Sequence, residues 1–244
     1  MNPRKRLVVS EVRVCLDAHE TRRKGLRNTL KATGAQVVSK QRVADHGEVL
    51  TGSSEVIAML DLVKQETERI DSKFLEPACG TGNFLTEILE RKLRIVKSRY
   101  GKNKWDSERY AVLAVSSIYG IDLLLDNVEK CRQRLFDVFD RQYQLLYRQE
   151  CLRTIKFILS KNIIHGDALT LMTVGENPKP IVFSEWSFVT GSMMKRREFT
   201  FEELLTFAGT KQTPLFSDLG EEVFSPTPFR DYPLRHFLEV ADAE

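Results

Sequence analysis

Apolar positions along this chain change period several times, and each change marks an element. Val56, Met59, Leu60 and Val63 recur at helical spacing behind Ser53, a residue able to cap a helix. Asp71 and Ser72 break that stripe, and Lys73 to Glu76 then reads as a short strand. Leu85, Ile88, Leu89 and Val96 form the apolar face of a long helix. Its later turns are crowded with Arg91, Lys92, Arg94, Lys97 and Arg99, cations that suit a helix C-terminus. Gly101 to Lys104 is a loop and Glu108 to Ser117 a short helix. Tyr119 to Leu123 reads as a second strand. Val128, Cys131, Leu135 and Phe139 share one face of a helix over 127–139, and helical character continues from Gln142 to Ser160. Ile163-Ile164 is a third strand, running into His165-Gly166-Asp167-Ala168-Leu169. Pro180 to Phe183 is a fourth.

Strands that alternate with helices in this way predict an α/β fold: a doubly wound, mostly parallel sheet with its ligand site at the C-terminal ends of the strands. Before the first helix, Val8 to Leu16 alternates like a strand, with Val12, Val14 and Leu16 on one face, and Thr21 to Lys31 is a basic helical stretch. After residue 190 the pattern loosens. Lys195-Arg196-Arg197 is a basic run, Phe201 to Phe207 a short helix, and Pro214, Pro226, Pro228 and Pro233 punctuate the rest. Phe216, Phe224, Phe229, Tyr232, Phe237 and Leu238 are expected to cover the core. No fifth, sixth or seventh strand is visible. The chain divides into a basic arm, 1–45, a core, 46–190, and a covering segment, 191–244.

Charge changes this picture at the N-terminus. Residues 1–42 hold eleven Lys or Arg against three Asp or Glu, a local +8 on a chain of +3, which leaves −5 on the remainder. A basic arm on a mildly acidic body can track a phosphate backbone, although a solvated surface is an equally good reading. The same two readings stand for Lys195 to Arg197. Length (244 residues), 42% hydrophobic and 29% charged content describe an ordinary globular chain. No run suits a membrane span and no secretory leader is visible, so the expected place is the cytoplasm. The four cysteines and four histidines have neither disulfide-framework nor zinc-ligand spacing, so no metal is expected.

The chemistry-bearing stretch lies between the first strand and the long helix: Glu76-Pro77-Ala78-Cys79-Gly80-Thr81-Gly82-Asn83-Phe84. Two glycines one residue apart let a backbone pass close to a ligand, and the helix start behind them offers free amides to a polar group. A tight turn without a ligand uses the same residues. The nicotinamide fingerprint needs a third glycine where this chain has Leu85, which speaks against a dehydrogenase. Asp122, at the end of the second strand, can accept ribose hydroxyls or cap the next helix.

The full string resembles the cofactor turn of the S-adenosylmethionine-dependent DNA methyltransferases that act on the amino group of adenine. An acidic residue, Pro, a small residue, Cys, Gly, Thr and Gly correspond one by one, and the likeness extends over roughly residues 42–190. It implies a sheet of the class I methyltransferase type, incomplete at its C-terminal half, with S-adenosyl-L-methionine as cofactor. Glu76, Pro77, Cys79, Gly80, Gly82, Asn83 and Phe84 would sit under the methionine part. Asp122 would hold the ribose, and Asp167 with Ala168 the adenine. Thr51, ending Gly47-Glu48-Val49-Leu50-Thr51, would close over the ligand; the family usually follows this Thr with Pro, and here Gly52 stands there, so an ordinary loop remains an alternative.

The resemblance also implies DNA as substrate and membership of a restriction-modification system, with a specificity or target-recognition subunit as a further partner. Behind the fourth strand the family carries Asp, Asn or Ser, two prolines and an aromatic residue. Here the place reads Ser184-Glu185-Trp186, which makes Ser184 the candidate acceptor for the amino hydrogens, Trp186 the candidate stacking ring and Glu185 a further catalytic candidate. Both prolines are missing and the ring comes one position early. Little or no adenine methylation is therefore expected of the isolated chain. The alternative function is an inactive cofactor-binding or nucleic-acid-binding subunit.

Overall fold

The computed structural model describes residues 42, 51–143, 148–210 and 227–242. The arm apart from Arg42, the string before Thr51, and Phe216 and Phe224 lie outside the described residues. What is described is a mixed α/β fold with two small sheets and several helices.

Helix α1, Ser53–Asp61, begins one residue after Gly52, whose amide donates to the Glu55 carboxylate at 3.2 Å. The cap is therefore the third helical residue reaching back, and Ser53 is already inside the helix. Helix α2, Lys64–Thr67, leads to β1, Phe74–Glu76. After the glycine turn come α3, Asn83–Tyr100, and α4, Lys104–Ser116. Asn103 caps α4, its side-chain oxygen accepting from the amides of Trp105 and Asp106 at 3.0 and 3.3 Å. Strand β2, Ile118–Asp122, is followed by α5, Leu125–Tyr143, and α6, Gln149–Asn162. Strands β3, Ile163–Asp167, and β4, Met172–Thr173, come next.

The first sheet has the order β1-β2-β3-β4. β1, β2 and β3 are parallel, with Glu76 opposite Gly120 and Asp122 opposite His165, and β4 returns antiparallel. Alternation of side chains explains the layers on either face. Phe74, Ile118 and Ile163 join the core made by α3 to α6, whereas Leu75, Tyr119 and Ile121 point into a second apolar cluster with Ile181, Phe183, Phe199, Phe201 and Leu204. Helices thus cover one face.

The other face is covered by a second sheet, where the expected fourth strand goes, and by the helix that follows it. Strand β5, Val182–Thr190, does not extend the parallel sheet. It pairs antiparallel with β6, Met193–Thr200, from Val182 opposite Thr200 to Phe188 opposite Met194. This hairpin spans the boundary expected at residue 190. Helix α7, Phe201–Thr210, follows, and the short strands β7, Arg230–Asp231, and β8, Arg235–His236, both pair with β6. A 3-10 turn, Val240–Asp242, closes the described chain. Phe237 and Leu238 are buried as expected, but Phe229 is exposed.

The cation-rich end of α3 is only partly a solvated face. Lys92 is fully buried. Its ammonium donates to the Ser72 carbonyl, to Ser117 Oγ at 2.6 Å and to the Ile70 carbonyl at 3.5 Å. A buried charge is tolerated when acceptors replace its water shell, and these three tie the approach to β1 to the approach to β2. No described helix is long and apolar enough to cross a membrane.

Candidate functional site

The site grows from the C-terminal ends of three parallel strands. The chain leaves β1 at Glu76, which is buried and takes the Ala78 amide on its carboxylate at 3.3 Å. The amide of Cys79 donates to the Ile121 carbonyl at 2.9 Å, pulling the turn across onto β2. Gly80 and Gly82 both have positive φ, 52° and 84°, a backbone region that glycine enters without strain. A Cβ built on Gly82 would meet Cys131 Sγ at 2.6 Å, so α5 leaves no room for any other side chain there.

Asp122 closes the site from the next strand. Its Oδ2 accepts from the Gly80 amide at 2.8 Å, and its Oδ1 from the Leu124 amide at 2.9 Å and Asn127 Nδ2 at 3.1 Å. Oδ1 thus braces the turn that leads into α5 without capping the helix itself, and Oδ2 keeps a second acceptor direction. Asp167, at the end of β3, accepts from the Leu169 amide at 2.8 Å. His165 lies beside it with Nε2 at 3.1 Å from the Leu123 carbonyl, which places the ring proton on Nε2. Leu123 and Leu169 remain exposed at this rim, 44% and 94%.

Thr51 is joined to the turn through its carbonyl, which accepts from Asn83 Nδ2 at 2.8 Å. Phe84 packs against the helical core and Ala168 against the second cluster, while Pro77 is half-buried in the turn. The structure thus brings Thr51, the stretch from Glu76 to Phe84, and Asp122 into one connected region, with Asp167 on the next strand along the same rim.

Cys79 and Cys131 meet beneath the turn. The Cys131 thiol, burial and the nearby Asp122 and Glu76 carboxylates, in that order, push the Cys79 thiol well above its ordinary range. It stays protonated at neutral pH and serves as packing rather than as a nucleophile.

Ser184, Glu185 and Trp186 lie elsewhere. The sequence reading placed them directly behind a fourth strand ending at Phe183; they are interior residues of β5, and all three are buried. Ser184 Oγ accepts from Arg196 Nε at 3.1 Å, and its carbonyl accepts from the Tyr119 hydroxyl at 3.0 Å. Glu185 is clamped between Lys73 Nζ at 2.7 Å and Arg197 Nη2 at 2.6 Å. Trp186 donates from Nε1 to Asn162 Oδ1 at 2.9 Å and packs edge-on against Phe157. Lys73 and Asn162 precede β1 and β3, so these contacts hold the trio at the opposite end of the sheet from Gly80. Burial, then the Glu185 charge, push the Tyr119 hydroxyl well above its ordinary range and keep it a donor.

The basic run on β6 is neutralised as well. Lys195 pairs with Asp231, Arg196 with Glu198 at 2.5 Å and Arg197 with Glu185. Two other arginines make contacts that the sequence does not announce. Arg132 donates to the carbonyls of Ser160 and Ile163, joining α5 to the start of β3. Arg42 donates to Asp126 at 2.6 Å and reaches Asn127 Oδ1 at 3.4 Å, the same Asn127 whose Nδ2 donates to Asp122.

Comparison with family models, with curated proteins and with solved structures finds no significant match.

Proposed function

We propose that the chain binds S-adenosyl-L-methionine at the glycine turn and belongs to a DNA modification activity directed at the N6 amino group of adenine. The observation that carries this reading is the bond between the Gly80 amide and Asp122 Oδ2, which unites the turn and the candidate ribose acid at the ends of adjacent parallel strands. The residues fit such a ligand. The two glycines leave backbone open to the methionine part, Asp122 Oδ2 has acceptor capacity left for a ribose hydroxyl, and exposed Leu123 and Leu169 offer apolar surface to a purine. The parallel run β1-β2-β3 supports one half of a class I methyltransferase sheet in this reading. The cofactor, when bound, supplies an electrophilic methyl group on its sulfonium. This chain's residues hold its nucleoside and amino-acid ends in place, a positioning contribution.

The burial of Ser184, Glu185 and Trp186 favours a second form of the same reading, in which the chain is the cofactor-binding subunit and the adenine pocket is supplied by a partner. Incubation with cofactor and either duplex or single-stranded DNA, followed by mass spectrometry of the nucleosides, separates the two. The subunit form expects no N6-methyladenine from the isolated chain. Abundant N6-methyladenine that disappears in Ser184→Ala or Trp186→Ala supports a working pocket on this chain instead.

A further inference from the structure

Arg134 lies on α5, one turn beyond Cys131 and on the same face, so both residues look toward the glycine turn. Its Nη1 donates to the Thr81 carbonyl at 2.6 Å, to Thr81 Oγ1 at 3.1 Å and to Asn83 Oδ1 at 2.7 Å. Two hydrogens on one nitrogen serve three acceptors, so one hydrogen is shared. Bonds from a charged donor are stronger than neutral ones. The consequence continues past the turn. With its oxygen taken by Arg134, the Asn83 amide must present Nδ2 to the other side, where the Thr51 carbonyl accepts it at 2.8 Å. One guanidinium therefore fixes the second half of the turn, the orientation of Asn83 and the position of Thr51. Asp122 is held by a separate set, the amides of Gly80 and Leu124 and the Asn127 side chain.

We infer that Arg134 is a positioning residue for the amino-acid end of the ligand, acting through Thr81, Asn83 and Thr51, and that it leaves recognition of the nucleoside end to Asp122. This rests on the reading of the glycine turn as an S-adenosyl-L-methionine site, and it goes beyond that reading by assigning the two ends of the ligand to two separate hydrogen-bond sets.

The test compares S-adenosyl-L-homocysteine, which has the amino-acid end, with 5′-methylthioadenosine, which lacks it, by calorimetric titration of the wild type, Arg134→Gln and Asn83→Ala. Asn83→Ala keeps the cation and its bonds to Thr81 and removes the Arg134–Asn83–Thr51 connection, so the question stays answerable if Arg134→Gln does not fold. The expected result is a loss of about tenfold or more for S-adenosyl-L-homocysteine in both variants, with 5′-methylthioadenosine changed less than about twofold. Equal losses for both ligands would mean a general structural role, and no loss for either would mean no role; each outcome overturns the inference while sparing the parent reading. A wild type that binds neither ligand overturns the parent reading and the inference with it.

Discussion

The amide of Gly80 and the carboxylate of Asp122 are joined at 2.8 Å across the gap between the ends of β1 and β2. Asp122 thereby holds the glycine turn with one oxygen and the turn before α5 with the other. Asp122→Ala releases two backbone amides and the Asn127 side chain together. A loss of about 2 kcal/mol is expected from the unpaired amides, read as a lower urea midpoint at unchanged slope. Unchanged stability would mean that water replaces the carboxylate without cost.

Gly82 carries two separable constraints. An alanine there must adopt a left-handed backbone, which costs about 1–2 kcal/mol, and its Cβ meets Cys131 Sγ. Gly82→Ala is expected to be strongly destabilising in the wild type and milder, by about 1 kcal/mol, in a Cys131→Ala background. Equal penalties in the two backgrounds would mean that the steric contact relaxes freely.

Glu185 is expected to matter for stability rather than for chemistry. Its side chain, 9% exposed, lies between Lys73 at 14% and Arg197 at 38%. Glu185→Ala strands chiefly Lys73, the better buried cation, at a cost of about 3 kcal/mol; Arg197 is exposed enough for water to take over. Thermal denaturation of Glu185→Ala checks this, and a native-like midpoint would contradict it.

Arg42 holds the Asp126 carboxyl below its ordinary 3.8. A carboxyl lowered in the folded state contributes stability above its unfolded value, and that contribution disappears as pH falls through the folded value. Asp126 is 65% exposed, so the effect is small, about 0.5 kcal/mol or less. Comparing the wild type with Asp126→Asn by urea denaturation, the difference is expected at neutral pH and should vanish in acid below the ordinary range. A difference that persists there would assign the effect to something other than this ion pair.

The order of strands and helices through Asp167 was legible because each element there buries one regular face: Leu85, Ile88 and Leu89 on α3, and Val128, Cys131 and Leu135 on α5. The connected turn was legible because Gly80 and Gly82 stand one residue apart between a strand and a helix, and both take the positive φ that glycine enters without strain. The hairpin was not. Lys195 to Arg197 looks like a solvated charge run, yet alternation in β6 buries Met194 and Arg196 on one face of the strand, while Phe199 enters the second cluster from the other. The signal was present in Gly191, which turns β5 back on itself, and in carboxylates at matching positions, above all Glu185 opposite Arg197. Lys92 also sits at helical spacing from Leu85 and Ile88, on the apolar face, and so announces its own burial. Nothing in the sequence points from Arg134 to Thr81 and Asn83, because that contact depends on the packing of α5 against the turn.

Titration calorimetry of the wild-type chain with S-adenosyl-L-methionine tests the central proposal most directly, paired with Asp122→Ala at a temperature where that variant is folded. Saturable one-site binding with a raised melting temperature in the wild type, and markedly weaker binding in Asp122→Ala, is the expected result. Absence of both heat and thermal stabilisation at millimolar cofactor would contradict the proposal and leave the Gly80–Asp122 contact as a structural brace alone.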